Sequence, residues 1–225
     1  KLADFVKPGI STLEIDQFGE KAIRDLGCVP NFLNYNGYPA SICVSVNDEV
    51  VHGIPRKDRI LQDGDIVSLD AGLIHEGYHS DAARTHAVGN VSEEAKRLIE
   101  VTKQSFFEGI KLAVPGNHLF DISEAIQKYV ESNGYSVVRD LVGHGIGTHL
   151  HEDPQIPNFK QRRKGMKLRP GMTLAIEPMV NEGSYDVVWL DDDWTVVTED
   201  GSLAAHYENT IVITEDGCEI LTLSE

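Results

Sequence analysis

Two carboxylates, Asp70 and Asp81, sit on what the sequence lays out as one β-hairpin. Ile66 to Ile74 is an apolar run, Glu76-Gly77 has turn chemistry, and Tyr78 to Val88 returns. A two-residue turn makes opposed positions sum to an odd number, as 70 and 81 do, and strand side chains alternate faces. Both acids therefore share a face, about 5–8 Å apart at Cβ. Like charges that close among apolar residues are costly unless a cation lies between them, and a metal ion meets that need. Three more residues fit the same chemistry. His144 lies in Gly143-His144-Gly145-Ile146-Gly147, Glu177 ends the apolar run from Met172 to Ile176, and Glu208 precedes Ile211-Val212-Ile213. Four carboxylates and one imidazole, with no Cys nearby in sequence, make an oxygen-rich donor set. Such a set suits Mn, Fe, Co or Zn in a two-metal cluster rather than a thiolate structural zinc. Taken singly, each acid reads equally well as a solvated strand end; the five together point to a metal.

The elements that must position these residues are legible around them. Ser11 and Glu14 have capping-box spacing, and Gly27 suits the stop of the helix they begin. Asn31 to Asn36 is a turn-rich loop, and 42–46 and 50–52 read as short strands. Ser92 caps a helix running to about Ala113, before Pro115-Gly116, and a further helix covers roughly 119–132, ending at Gly134. Strands are expected over 172–180 and 194–198, and a last hairpin over 208–214 and 218–222 around Asp216-Gly217. The chain also repeats itself. Pro8-Gly9, Ile15, Gly27, Leu61, Gly64 and Asp70 recur as Pro115-Gly116, Ile122, Gly134, Leu168, Gly171 and Glu177, all at an offset of 107 residues. This predicts two duplicated halves, about 1–110 and 111–225, and sets Asp70 against Glu177 at a pseudo-symmetric centre.

Composition narrows the class. The 225 residues carry a formal net charge of −16, which disfavours a general nucleic-acid-binding surface. No apolar run is long enough for a membrane span. Three unevenly spaced cysteines (Cys28, Cys43, Cys218) argue against a disulfide framework and fit a reducing, cytoplasmic setting. The chain starts at Lys1 without a Met and shows no signal peptide.

With these residues in view, the chain resembles the type I methionine aminopeptidases, metallopeptidases of the pita-bread fold, from about Val6 to Thr222. The motifs that carry the likeness are Asn34-Tyr35-Asn36-Gly37-Tyr38-Pro39 through Cys43, Asn47 and His52-Gly53-Ile54-Pro55, then Asp63-Gly64-Asp65-Ile66 with Asp70 through Gly77 and Asp81. Gly143 to Gly147 through His151-Glu152 and Pro154, Lys167-Leu168 through Pro170-Gly171-Met172 to Glu177-Pro178, and Glu208-Asn209-Thr210 complete it. The resemblance implies a single α+β catalytic domain over residues 1–225, with two pseudo-symmetric halves and a curved antiparallel sheet covered by helices. It implies two divalent ions: Asp70 chelating one, Asp81 and Glu208 bridging both, His144 and Glu177 holding the other. A metal-bridging hydroxide would attack the peptide carbonyl, Glu177 would pass the proton to the leaving amine, and His52 and His151 would contact the scissile peptide. The implied substrate is the N-terminal Met of nascent peptides with a small second residue, taken by a cytoplasmic monomer with no membrane partner.

A methionine pocket needs a soft apolar cavity. By the family pattern Tyr35, Tyr38, Cys43 and Trp194 line it, with His52 and His151 at its edge, while Phe32 serves core packing as readily. Two departures stand out: Leu150 precedes His151 where the family commonly has an aromatic, and Val51 precedes His52 where Cys is common. The other histidines (His75, His79, His86, His118, His149, His206) are expected at the surface or behind the ligands, with His79 beside Asp81 given no direct role. Lys160, Arg162, Arg163, Lys164, Lys167 and Arg169 form a basic cluster, read either as a solvated loop or as a ribosome contact over 160–169. Two alternatives are a proline-specific (Xaa-Pro) aminopeptidase of the same fold and a non-catalytic pita-bread binding module. The first usually carries a separate N-terminal domain, and the second tends to lose ligands, whereas all five positions are filled here.

Overall fold

The central hairpin pairs Ile66–His75 with Tyr78–Ala87 in the computed structural model, which describes residues 1–223. Glu76 and Gly77 hold φ of 50° and 85°, the left-handed pair of a turn whose twist matches the strands. The register sets Asp70 opposite Ala83 and Gly72 opposite Asp81, so the two acids are diagonal neighbours on one face. On the other face Val67, Leu69, Ala71 and Leu73 join Ile10, Ile15, Ile23 and Ile42. Burying each such side chain contributes about 1.5–3 kcal/mol, which anchors the strand firmly under its costly acids.

Among the described residues, four α-helices accompany the sheets: α1 (Leu2–Phe5), α2 (Thr12–Asp25), α3 (Glu93–Ile110) and α4 (Leu119–Ser132). Helix α2 begins at the expected Ser11/Glu14 capping box and supplies Ile15 and Ile23 to the cluster behind the hairpin. Helices α3 and α4 bury Leu98, Phe106, Leu119, Ile122 and Ile126 in the larger cluster under Leu174, Ile176 and Ile211. No helix among the described residues is long and apolar enough to cross a membrane.

The hairpin belongs to a four-stranded antiparallel sheet with Val29–Pro30 and Cys43–Val46. A five-stranded antiparallel sheet runs in the order Cys218–Ile220, Asn209–Ile213, Thr173–Ile176, Gly143–Gly145, Glu152–Ile156. The two meet where the Ala83 and Glu208 main chains exchange N–H···O bonds of 3.4 and 2.9 Å, and where Thr210 Oγ1 accepts from the Asp81 N–H and donates to its carbonyl.

The 107-residue offset is also present as geometry. Gly9 N–H donates to the Leu61 carbonyl and Gly116 N–H to that of Leu168 (2.8 and 3.1 Å). Leu61 N–H donates to Ile10 and Leu168 N–H to Asn117 (2.9 and 2.8 Å). The Glu14 and Asp121 carboxylates accept from the backbone of Ser11 and His118 at 2.8 and 2.9 Å.

Three elements differ from the sequence expectation. The strand expected over 172–180 is two strands, Thr173–Ile176 and Met179–Asn181, broken at Glu177-Pro178. Pro178 has no N–H for a ladder, and the chain there leaves the five-stranded sheet for one with Ala204–His206 and Ser136–Val137. The strand expected from Trp194 begins at Val196, because Asp192 accepts from the Trp194 and Thr195 N–H groups in a tight turn. Helix α3 stops at Ile110, and 111–112 form the turn toward Pro115.

Candidate metal centre and adjoining pocket

Asp70, Asp81, Glu177 and Glu208 converge from both sheets. Asp81 and Glu208 are only 4% and 2% exposed. Asp70 Oδ1, Asp81 Oδ1, Glu177 Oε1 and Glu208 Oε1 are each buried without a hydrogen-bond partner among the described residues. Burial foremost, then Asp81 and Glu177, raises the Asp70 carboxyl well above the usual range, and burial followed by neighbouring acids does the same to Glu177 and Glu208. Burial also pushes Asp81 up, to about 7. Arg84 lies close by, but its guanidinium is engaged with the Glu208 main-chain carbonyl, Asn209 Oδ1 and the Tyr207 ring face rather than with a carboxylate.

His144 supplies the clearest indication of a cation. Its Nδ1 lies 2.8 Å from the Gly145 carbonyl, which can only accept, so Nδ1 carries the hydrogen. Burial lowers its pKa to about 4, so the ring is neutral and Nε2 is a bare lone pair. That lone pair faces Glu177 Oε1 at 3.5 Å. No hydrogen bond joins the two atoms, and a metal ion between them would satisfy both. Ligand atoms of Asp81, His144 and Glu208 lie within 4.8 Å of one another, as do those of Asp70, His206 and Glu208. Glu208 is common to both groups. The donor set therefore fits divalent ions, with oxygen ligands dominant.

Glycines let His144 reach this position. A Cβ at Gly143 would lie 2.4 Å from the Ala175 carbonyl oxygen, and one at Gly145 would lie 2.3 Å from that of Asp153. The strand is therefore squeezed between neighbours that admit no side chain on either side of the histidine.

The raised carboxyl pKa values give a pH prediction. A folded pKa above the unfolded one means that the folded state holds the proton longer, so stability falls as pH rises from the ordinary carboxylate range through about 7 for Asp81. Metal-free protein should melt at a lower temperature at pH 8 than at pH 7, a window above the ordinary histidine range. There the lowered His52, His144 and His206, which gain stability as pH rises toward 6.5, oppose the fall least. Excess Mn²⁺ should flatten or reverse that slope, as calorimetry at both pH values would show. A metal-free protein that is more stable at pH 8 contradicts the electrostatic description.

His151 lies beside the cluster, its ring centroid 4.3 Å from that of His144, and Tyr35 Oη sits 2.7 Å from its Nδ1. His52 adopts φ 59°, unusual for a residue with a Cβ, and burial lowers its pKa to about 4. Together the five carboxylate and histidine positions, His52 and His151 open onto a cavity of about 180 Å³ walled by Phe32, Tyr35, Tyr38, Cys43, Leu150 and Trp194. An apolar cavity of roughly 150 Å³ admits a benzene-sized guest, so this one has room for a single apolar side chain. Tyr38 donates its hydroxyl to the Gly53 carbonyl at 2.8 Å and offers only its ring to the cavity, edge-on to Trp194. Burial, then Asp70, raises the Cys43 thiol, which keeps it protonated and makes it a wall rather than a nucleophile. Leu150, 2% exposed, fills a wall position, whereas Val51 packs with Val50, Val138 and Met179 in a separate cluster.

Two residues near the cluster were not singled out by spacing. Arg84 fixes the Glu208 strand, and His206 is fully buried against Asp70 and Glu208, the second of its two expected places. His206 lies two positions before Glu208, and a strand's alternation puts such a pair on one face. That signal was present in the sequence.

A site of converging buried carboxylates and an imidazole beside an apolar cavity, on paired antiparallel sheets, defines a metal-dependent hydrolase. The model of metallopeptidase family M24 matches residues 1–215, and the chain belongs to that family and, within it, to the methionine aminopeptidases. It is 58% identical to the methionine aminopeptidase of Clostridium acetobutylicum, over 97% of this chain and 88% of that protein. It is 56% identical to methionine aminopeptidase 1 of Bacillus subtilis, over 99% and 89%. The crystal structure of methionine aminopeptidase from Thermotoga maritima superposes with a TM-score of 0.97 at 48% identity, covering 99% of this chain and 90% of that one. The pita-bread fold read from the motifs is borne out. A prolidase from Pyrococcus furiosus shares the fold alone, at 21% identity and a TM-score of 0.76, with the chain covering 59% of its length.

Proposed function

We propose that this chain removes the N-terminal methionine from nascent proteins whose second residue is small, using two divalent ions. The observation that carries this reading is the bare His144 Nε2 facing Glu177 Oε1, at the rim of a cavity sized for one apolar side chain. Asp70 would hold one ion, His144 and Glu177 the other, and Asp81 and Glu208 both. Bound there, Mn, Fe, Co or Zn would supply Lewis-acid polarisation of the scissile carbonyl and lower the pKa of water.

The chain's own groups do the rest. The Tyr35, Tyr38, Cys43 and Trp194 walls, with Phe32 and Leu150, take the methionine side chain. Glu177, whose carboxyl burial raises well above the usual range, accepts a proton and returns it to the leaving amine. His151, steadied at Nδ1 by Tyr35, presents its other nitrogen to the peptide. His52 is neutral and donates a hydrogen bond to the substrate rather than a proton. The whole of 1–225 then acts as one catalytic domain, as a cytoplasmic monomer. The decisive assay compares Met-Ala-Ser with Xaa-Pro peptides under added Mn²⁺ or Co²⁺. Release of Met alone is expected. Release of Xaa from Xaa-Pro would establish the proline-specific alternative, and inactivity with no bound metal would establish a binding module.

The basic loop supports a ribosome contact as a second partner. Lys160 is engaged with Glu124 at 2.6 Å, but Arg162, Arg163, Lys164, Lys167 and Arg169 are exposed and form no salt bridge among the described residues. Neutralising these five should weaken co-sedimentation with ribosomes, and the wild-type association should fall steeply with salt. Unchanged co-sedimentation of the neutralised protein would remove this contact from the account.

A further inference from the structure

His206 is held more firmly by its backbone than by its side chain. Its N–H donates to Thr85 Oγ1 at 2.8 Å, and Thr85 Oγ1 donates back to its carbonyl at 2.9 Å. Thr85 Oγ1 also lies 2.8 Å from Ser68 Oγ, on the strand that carries Asp70. The main chain is therefore pinned to the central hairpin. The imidazole is 2% exposed, yet neither ring nitrogen has a hydrogen-bond partner among the described residues. A buried polar atom left unsatisfied costs about 1–3 kcal/mol, so this ring persists at a cost unless something else completes it. Its Nε2 is 3.9 Å from Glu208 Oε2, and its ligand atom shares a 4.8 Å cluster with those of Asp70 and Glu208. Glu208 Oε1 and Asp70 Oδ1 are themselves without partners.

These unsatisfied groups complement one another. An imidazole N–H can donate to a carboxylate oxygen, and carboxylates drawn onto an ion would be steadied by such a donor. We propose that His206 is a positioning residue of the metal centre, donating from Nε2 to the Glu208 carboxylate and so retaining the ion held on the Asp70 side. His206 acts through Glu208 and does not touch the substrate. This inference rests on the assignment of the five carboxylate and histidine ligands, and deepens it.

The test is a calorimetric Mn²⁺ titration of metal-free wild type, His206→Gln and His206→Leu, with Asp81→Asn as comparator. Glutamine keeps an N–H donor, whereas leucine keeps only bulk. Wild type should bind two ions. His206→Leu should bind the first as wild type does and the second about 10–100-fold more weakly, while His206→Gln should stay near wild type. Thermal unfolding of the metal-free proteins separates a folding defect, and leucine should melt no lower than wild type. Both ions binding normally to His206→Leu would overturn the proposal. So would equal weakening of both ions in His206→Leu, or a glutamine variant as impaired as the leucine one. Wild type that binds no Mn²⁺, or Asp81→Asn that binds two ions normally, would instead overturn the ligand assignment beneath it.

Discussion

Asp81→Asn should lose both metal ions and on the order of 10³-fold or more in kcat/KM on Met-Ala-Ser. Asp81 lies diagonal to Asp70 across the hairpin, and its backbone is bonded to Thr210 of the second sheet beside Glu208. Its place between the acids of the two sheets suits the proposed role of serving both ions, with Glu208. The amide keeps the shape and removes the charge, and metal-supplied charge stabilisation is worth several kcal/mol, each 1.36 kcal/mol being tenfold in rate. The same substitution removes one negative charge from a crowded buried set, so the metal-free variant should melt higher than metal-free wild type at pH 8. Elemental analysis, kinetics and calorimetry on one preparation read all three effects. Full activity and full metal content would show that Asp81 does not bridge.

His151→Ala should keep both ions and lose about 10²–10³-fold in kcat, with a smaller change in KM. The size follows from removing one preorganised donor from a partly dry site, a loss of about 2.7–4 kcal/mol. His151 is within ring contact of His144, but its Nδ1 is taken by Tyr35 and it is not among the five proposed ligands. Its loss should therefore separate chemistry from metal binding, in contrast to His144→Ala. Tyr35→Phe removes the hydroxyl bonded to His151 Nδ1 and should show a weaker version of the same kcat effect. Loss of metal from His151→Ala, or an unchanged kcat, contradicts the role assigned to it.

Much of this arrangement was legible in the sequence because local chemistry carried it. Glu76-Gly77 fixed the hairpin register, and the register fixed which face Asp70 and Asp81 share. Ser11 with Glu14, and Ser92 before Glu93-Glu94, marked the helix starts that the fold uses. What escaped was set by contacts distant in sequence. The break at Glu177-Pro178 depends on a change of sheet, which no local pattern announces, although Pro178 hinted at it. Arg84 matters because it meets Glu208, Tyr207 and Asn209 far along the chain. For His206 local pattern leaves two places open, the surface or behind the ligands, because its burial comes from tertiary packing, even though alternation aligns it with Glu208. The 107-residue offset carried more than expected, since it recurs bond for bond around Gly9 and Gly116.

The central claim is that carboxylates from both sheets enclose two divalent ions beside the apolar cavity. Anomalous scattering from crystals grown with Mn²⁺, recorded at the manganese edge, tests it most directly. The account predicts two peaks enclosed by Asp70, Asp81, His144, Glu177 and Glu208, both lost in Asp81→Asn. A map with no peak there, or with peaks only elsewhere on the molecule, would contradict it.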